Sequence, residues 1–352
     1  MSASPPLDAS RLEAILTAIP RLTIAVVGDL FLDRYLDLDA GLTEPSLETG
    51  LDAYQVANVR SIPGAAGTVI NNLAALGVGR ICPLAVLGDD GEGYELRQAL
   101  NRLPAVDSQG LLLTSERRTP TYTKPMLCVP GQPPRELNRL DIKNRTPMPP
   151  ALEAQIVRAL GELWLWVDAL VVLDQVSEKD CGVITARVHE ALAELTATEA
   201  HKFVLADSRE RIGLFQGMCL KPNRLEALRA AGFSESDGVI ALERAAVRLA
   251  RRAGRWVFCT EGARGILLAS PQDDEATIRP RIPAYAVHGP LDIVGAGDST
   301  SAAIVCAMAA GAGVEAAAAF GNLVASITIQ QLGTTGTASP AQVRQRWREV
   351  TR

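Results

Sequence analysis

Short apolar runs alternate along the chain with longer stretches whose apolar residues recur at helical spacing. The runs Leu22–Val27, Ile81–Leu87, Leu170–Leu173, Phe203–Ala206 and Trp256–Thr260 read as strands. The intervening spacing predicts amphipathic helices over Gly91–Leu103, Ala151–Trp166, Asp180–Leu195 and Leu242–Ala253. This rhythm is that of βαβ units. It predicts an α/β fold of three layers, with a mostly parallel central sheet and helices on both faces. The last third is rich in alanine, and Ala296–Ala310 and Val314–Gln331 read as two helices whose small side chains allow close approach.

Two segments break the rhythm. About 36–63 and about 114–142 are richer in Pro, Gly, Thr and Glu than their surroundings, and both contain period-two stretches such as Ala53-Tyr54-Gln55-Val56 and Thr121-Tyr122-Thr123-Lys124. They read either as solvent-exposed loops or as strands outside the main sheet, forming a small β lid over the strand ends where such sheets bind ligands. Exposed lid edges can also pair between subunits, so a homodimer is expected. The remaining organisation is a single domain over 21–345, preceded by an N-terminal extension and helix (1–20) and followed by a tail (346–352).

Composition narrows the class. Of the 352 residues 47% are hydrophobic and 21% charged, enough for a large core and too little charge for disorder. With a formal net charge of -5 and no basic stripe, nucleic acid is not an expected partner. The chain shows neither a secretory leader pattern nor the roughly 20 consecutive apolar residues of a membrane span, so no membrane partner and a cytoplasmic location are expected. The cysteines, Cys82, Cys128, Cys181, Cys219, Cys259 and Cys306, lie far apart and mostly in apolar runs, which reads as reduced core thiols.

The candidate chemistry is concentrated in Asp292-Ile293-Val294-Gly295-Ala296-Gly297-Asp298, directly before the small-residue helix. Gly295 and Gly297 leave backbone N–H groups unshielded at a helix N-terminus, where aligned peptide dipoles favour an anion. Asp298 in the first turn would place a carboxylate in the same pocket, where a hydroxyl attacking phosphorus must lose a proton. The same residues also fit a plain glycine turn with an aspartate cap.

This segment resembles the C-terminal signature D-T-x-G-A-G-D of the ribokinase-like, or phosphofructokinase-B, family of sugar kinases, with Ile293 in place of the threonine. The resemblance runs over almost the whole chain. It implies a ribokinase-like fold and ATP-dependent transfer to a sugar hydroxyl, with Asp298 as general base and Gly295, Ala296 and Gly297 as the anion hole. Lys221-Pro222-Asn223-Arg224-Leu225-Glu226 is similar to the family's N-x-x-E motif, which implies that Asn223 and Glu226 organise Mg²⁺ and water around the nucleotide phosphates. Asn and Glu at this spacing also fit a helix capping box. By the same resemblance Thr260, Gly262 and Gly265 lie along the nucleotide and Asn322 lines the adenine pocket, although Asn322 also reads as hydrogen-bonded within the helix pair. A monovalent cation such as K⁺, with Asp292 among its ligands, is a frequent feature of the family.

On the acceptor side, the run Val27-Gly28-Asp29-Leu30-Phe31-Leu32-Asp33 implies Asp33 as the sugar-gripping carboxylate at the first strand's carboxyl end, with a turn-capping role as the alternative. The family's P-G-G-A-A-N becomes Pro63-Gly64-Ala65-Ala66-Gly67-Thr68, so Gly64 and Thr68 stand at the substrate, and Asn71 and Asn72 offer replacement amides. Within the family the likeness is greatest to the kinase part of bifunctional heptose 7-phosphate kinase/adenylyltransferases, through GDLFLDRY, Asn138-Arg139-Leu140-Asp141 and Gln331-Leu332-Gly333-Thr334. A heptose 7-phosphate-like acceptor is therefore favoured. A non-catalytic sugar- or nucleotide-binding protein on the same fold, or a nucleoside kinase, are the alternatives.

Overall fold

The computed structural model describes residues 6–199, 201–274 and 281–351. Its strands are β1 (Thr23–Gly28), β2 (Leu30–Pro45), β3 (Asp52–Ala65), β4 (Arg80–Gly88), β5 (Leu111–Thr114), β6 (Thr121–Cys128), β7 (Arg135–Glu136), β8 (Leu140–Ile142), β9 (Ala169–Asp174), β10 (Phe203–Ser208), β11 (Cys219–Leu220), β12 (Val257–Thr260) and β13 (Ile266–Ala269). The helices are α1 (Ala9–Ala18), α2 (Ala66–Leu76), α3 (Gly91–Asn101), α4 (Pro150–Trp164), α5 (Ala186–Thr198), α6 (Arg224–Ala231), α7 (Gly238–Ala253), α8 (Ala296–Ala309), α9 (Val314–Thr328) and α10 (Pro340–Val350).

Eight strands form the central sheet in the order β13-β12-β11-β10-β9-β1-β4-β5, and only β13 runs antiparallel to its neighbour. The apolar runs are strands because helices cover both faces. In β9 every residue is buried, with Val171 and Leu173 in one core and Leu170 and Val172 in the other. The first core takes Leu12 of α1, Leu73 of α2, Leu96 of α3, Ala302 of α8, Phe320 of α9 and Val343 of α10. The second takes Leu152 of α4, Val188 of α5, Leu228 of α6 and Leu242 of α7. The expected three layers are present. No described helix is long and apolar enough to cross a membrane.

Both segments that break the rhythm are strands. They make a second, five-stranded sheet in the order β3-β2-β6-β7, with β8 also on β6. The lid begins earlier than expected, however. β1 ends at Gly28 and β2 starts at Leu30, so Asp33 belongs to the lid hairpin and not to the carboxyl end of the first strand. The tail is also corrected: residues 346–350 continue α10, which starts with Pro340 behind a Ser339/Gln342 capping box and is joined to α1 by Arg344–Glu13 at 2.9 Å.

A third correction exposes a structural carboxylate. Residues 180–185, expected as helix, form a loop, and α5 begins only after Thr185 caps it. The loop is drawn to buried Asp29, which accepts hydrogen bonds from the N–H groups of Gln175 (2.8 Å), Val176 (3.0 Å) and Val183 (2.7 Å). Burial pushes the Asp29 pKa up to about 6 against the opposing pull of these donors. Asp29→Ala strands three N–H groups at once. It is expected to destabilise the protein by at least about 3 kcal/mol, seen as a lower urea midpoint at unchanged slope.

Candidate active site

The N-terminal turns of α8 lie against the carboxyl ends of β10 and β11, where Ser301 meets Asp207 and Gly297 faces Lys221, the edge at which such sheets usually bind ligands. Gly295 precedes α8 with φ +78, a left-handed backbone that suits glycine and turns the chain sharply into the helix. Asp298 lies in the first helical turn and is half-buried. Burial first, and then the nearby Asp207 carboxylate, raise its pKa to about 7, while Lys221 and Arg209 pull it back and Asp33 adds to the rise. The carboxylate on α8 and the carboxylate on the lid hairpin are thus within electrostatic reach of one another.

Lys221 follows β11 and is buried, with its Nζ 2.9 Å from Asp207 Oδ2. Burial would lower its pKa, but Asp207, and after it Glu226 and Asp298, hold it above the ordinary lysine value. The same ammonium lies 3.6 Å from where a Cβ on Gly297 would stand, so it sits against the glycine-led helix end. Asp207 in turn accepts a hydrogen bond from Ser301 Oγ of α8 at 3.2 Å. Sequence reasoning assigned none of Lys221, Asp207 and Arg209. Lys221 stood in the quoted Lys-Pro-Asn run, and Asp207 directly follows the apolar run Phe203–Ala206 within β10, which is the signal that could have found them.

Asn223 and Glu226 are brought to the site as a capping box. Asn223 Oδ1 accepts from Glu226 N at 2.9 Å, and Glu226 Oε2 accepts from Asn223 N at 2.7 Å. Burial and Asp207 raise the Glu226 pKa, against Lys221 and Arg209. Its other oxygen has no hydrogen-bond partner among the described residues. Asn223, Thr260 and Gly262 line an open cleft together with Val239 and Arg264. Gly265 lies behind it, packed on Ile282 O. Asn322 is buried and spends its amide hydrogens on the carbonyls of Ile282 (2.9 Å) and Pro283 (3.1 Å), so it shapes a wall from behind. Asp292 joins two loops by accepting from Val294 N and Gly333 N, both at 3.0 Å.

On the lid side, Asp33 Oδ2 faces Lys124 Nζ of β6 at 3.4 Å. Burial raises the Asp33 pKa, and Lys124 and Arg139 oppose the rise. Gly64 sits directly against this carboxylate: a Cβ there would lie 2.8 Å from Asp33 Oδ2. Thr68 is buried, and its Cγ2 lies 3.3 Å from a Cβ position on Gly295, so the start of α2 touches the glycine turn. The two candidate replacement amides point elsewhere. Asn72 donates to Thr68 O at 2.9 Å and Asn71 to Pro63 O at 3.4 Å, because both satisfy local carbonyls. All six cysteines are unpaired, and all but Cys128 are buried.

Residues 192–342 match the family described as pfkB family carbohydrate kinase. The chain is 30% identical over 343 residues to the bifunctional protein HldE of Trichlorobacter lovleyi, covering 96% of this chain and 65% of that protein. It is 32% identical over 315 residues to HldE of a Caulobacter species, covering 89% of this chain and 60% of that one. The chain therefore spans less than two thirds of the length of these relatives. Among solved structures, Arabidopsis thaliana ribokinase complexed with ribose and ATP superposes with a TM-score of 0.66 at 17% identity, over 92% of this chain and 98% of that one. Phosphofructokinase-2 from Escherichia coli in complex with potassium gives 0.69 at 16%, over 94% and 100%.

The approach of Gly64 to Asp33 can be tested by itself. Gly64→Ala drives a methyl into the carboxylate and is expected to cost about 1–3 kcal/mol of stability by chemical denaturation. In an Asp33→Ala background the cost should largely vanish; an equal cost in both backgrounds would show that the clash lies elsewhere.

Proposed function

We propose that the chain is a ribokinase-like carbohydrate kinase of the pfkB family, whose model matches residues 192–342, and that it transfers the γ-phosphoryl group of ATP to a hydroxyl of a sugar or sugar phosphate. The observation that supports this best is the position of Asp298: a half-buried carboxylate at a glycine-led helix start, beside Lys221 and within charge reach of Asp33. In its ionised form Asp298 accepts the proton of the acceptor hydroxyl. The backbone N–H groups that open α8 and the Lys221 ammonium take up the charge on the transferring group. Asp33 holds acceptor hydroxyls, since one carboxylate accepts two such bonds. The likeness to heptose 7-phosphate kinases makes a phosphorylated heptose the favoured acceptor.

The donor lies along Thr260 and Gly262. Mg²⁺ carried by its phosphates would meet the unpartnered Glu226 oxygen and neutralise phosphate charge there, a role that suits a cation usually held by phosphates and water with one or two carboxylates. A monovalent cation such as K⁺ would use the remaining lone pairs of Asp292. The unpaired thiols fit a reducing cytoplasm.

The test is ADP release from ATP across a panel of sugars, sugar phosphates and nucleosides, with Asp298→Asn beside the parent. The substitution is expected to lower turnover by at least about two orders of magnitude while ATP binding survives. Equal turnover would remove Asp298 as the base. If no panel member is phosphorylated although ATP binds, the non-catalytic reading gains. Because only ionised Asp298 accepts a proton, kcat/KM of the parent should be flat above about pH 7 and fall tenfold per unit below it.

We also propose a homodimer through the lid. Leu42, Tyr54, Val56 and Val59 are exposed on its hairpin, and β3 is a sheet edge. Sedimentation should show a dimer that Val56→Lys shifts towards monomer; a strict monomer at high concentration removes the idea.

A further inference from the structure

A pocket is lined among others by Phe31 and Tyr122 of the lid sheet and by Gln175 and Arg209. Tyr122 is the cross-strand partner of Asp33, which puts this cavity on the acceptor side. Three cations line it: Arg117, Lys143 and Arg209. Arg117 is spent on the carbonyls of Thr146, Pro147 and Cys181. Lys143 has Asp141 at 3.7 Å. Arg209 is exposed, and no hydrogen bond or ion pair among the described residues reaches its guanidinium.

The backbone that carries Arg209 is fixed from both sides. Asp207, two residues earlier, is held by Lys221 at 2.9 Å and by Ser301 of α8 at 3.2 Å. Ser208 Oγ donates to Asp174 at 2.6 Å, and Arg211 is committed to Asp174 as well. The residue between these anchors stands where the strand end meets the helix of Asp298. Its charge lowers the pKa of both Asp298 and Glu226, so it lies within charge reach of both carboxylates. Around it the acceptor side is dominated by carboxylates, Asp33 and Asp298, which repel an incoming phosphoryl group. Lys221 is immobilised on the glycine side.

We propose that Arg209 is a further catalytic residue, whose guanidinium binds oxygens of the migrating phosphoryl group on the acceptor side, across from Lys221. This rests on the phosphotransfer reading given above. In the step, the acceptor oxygen bonds to the γ-phosphorus while its proton goes to Asp298. The bond from that phosphorus to the β,γ-bridging oxygen breaks, and ADP leaves with the electron pair. Negative charge passes over the equatorial oxygens as they cross from donor to acceptor, and a planar guanidinium can hold two of them at once.

The test compares the parent with Arg209→Met and Arg209→Lys by calorimetry, using ADP, ADP with fluoroaluminate and Mg²⁺ as the mimic of the transferring group, and sedoheptulose 7-phosphate without nucleotide. The parent is expected to bind ADP–fluoroaluminate at least about 100-fold more tightly than ADP. Arg209→Met should lose most of that gain, with ADP affinity within about threefold of the parent, and Arg209→Lys should recover part of it. A gain retained in Arg209→Met overturns the proposal and leaves the kinase reading intact. The same holds if Arg209→Met weakens only the sugar phosphate, because the guanidinium would then serve a phosphate already on the acceptor. A parent that binds neither ADP nor the mimic sinks the kinase reading and this proposal together.

Discussion

A lysine ammonium buried at the end of β11 is the constraint from which the site is built. A charge in that position persists only if it is paired, and Asp207 at 2.9 Å supplies the pair. Because Asp207 also accepts from Ser301, one ion pair ties β10, β11 and α8 together at the edge of the sheet. Such a pair adds little net stability, since desolvation offsets most of its attraction. What it does is fix position. It sets the glycine-led start of α8 against a cation, and it places Asp298 near a second carboxylate that raises its pKa towards neutrality. That is the range in which a carboxylate is most effective in proton transfer, as the role proposed for Asp298 requires.

The lid repeats this logic with a softer pairing. Asp33 and Lys124 are half-buried at 3.4 Å, and Lys124 also donates to the Tyr35 hydroxyl at 3.1 Å. A half-buried pair of this kind can exchange its partners for ligand hydroxyls, as the proposed role of Asp33 requires, which the tighter Lys221–Asp207 pair cannot do without leaving a buried charge unpaired. On the proposed phosphotransfer, the rigid pairing would serve the donor side and the adaptable pairing the acceptor side. Both are carried by secondary structure, so the two carboxylates approach each other only because the hairpin β2–β3 folds back from the end of β1.

Much of this was legible in the sequence, for physical reasons that differ by region. Central strands such as Ala169–Asp174 are apolar at nearly every position because both faces are covered, and the lid is betrayed by its alternation. The glycine turn before Asp298 was visible because few other residues permit it. The start of the lid was not, since Leu30-Phe31-Leu32 reads as apolar whichever sheet it joins. The loop 180–185 was hidden because its form is dictated by Asp29, more than 150 positions away in the chain, and local periodicity carries no trace of such a partner. Lys221 and Asp207 escaped for the same reason: each looks like an ordinary polar strand terminus until the other is placed beside it.

The departures from the family pattern fall into two physical kinds. Ile293, where the pattern has threonine, is exposed, and the anion hole proposed beside it is made of backbone, so the side chain there is free to vary. The segment between lid and α2 is different. Ala65 stands where the pattern has glycine and is held at φ +52, a strained conformation for a residue with a Cβ, and Thr68 stands where the pattern has asparagine, buried against the glycine turn. Strain of this kind persists only when the surroundings over-determine it. Here they do: Ala66 N donates to Asp29 O at 3.0 Å, and Gly64 is packed on Asp33. Changes at a junction locked from both sides alter local shape while leaving Lys221, Asp207 and Asp298 in place, so on the proposed reading acceptor choice can diverge over an unchanged transfer centre.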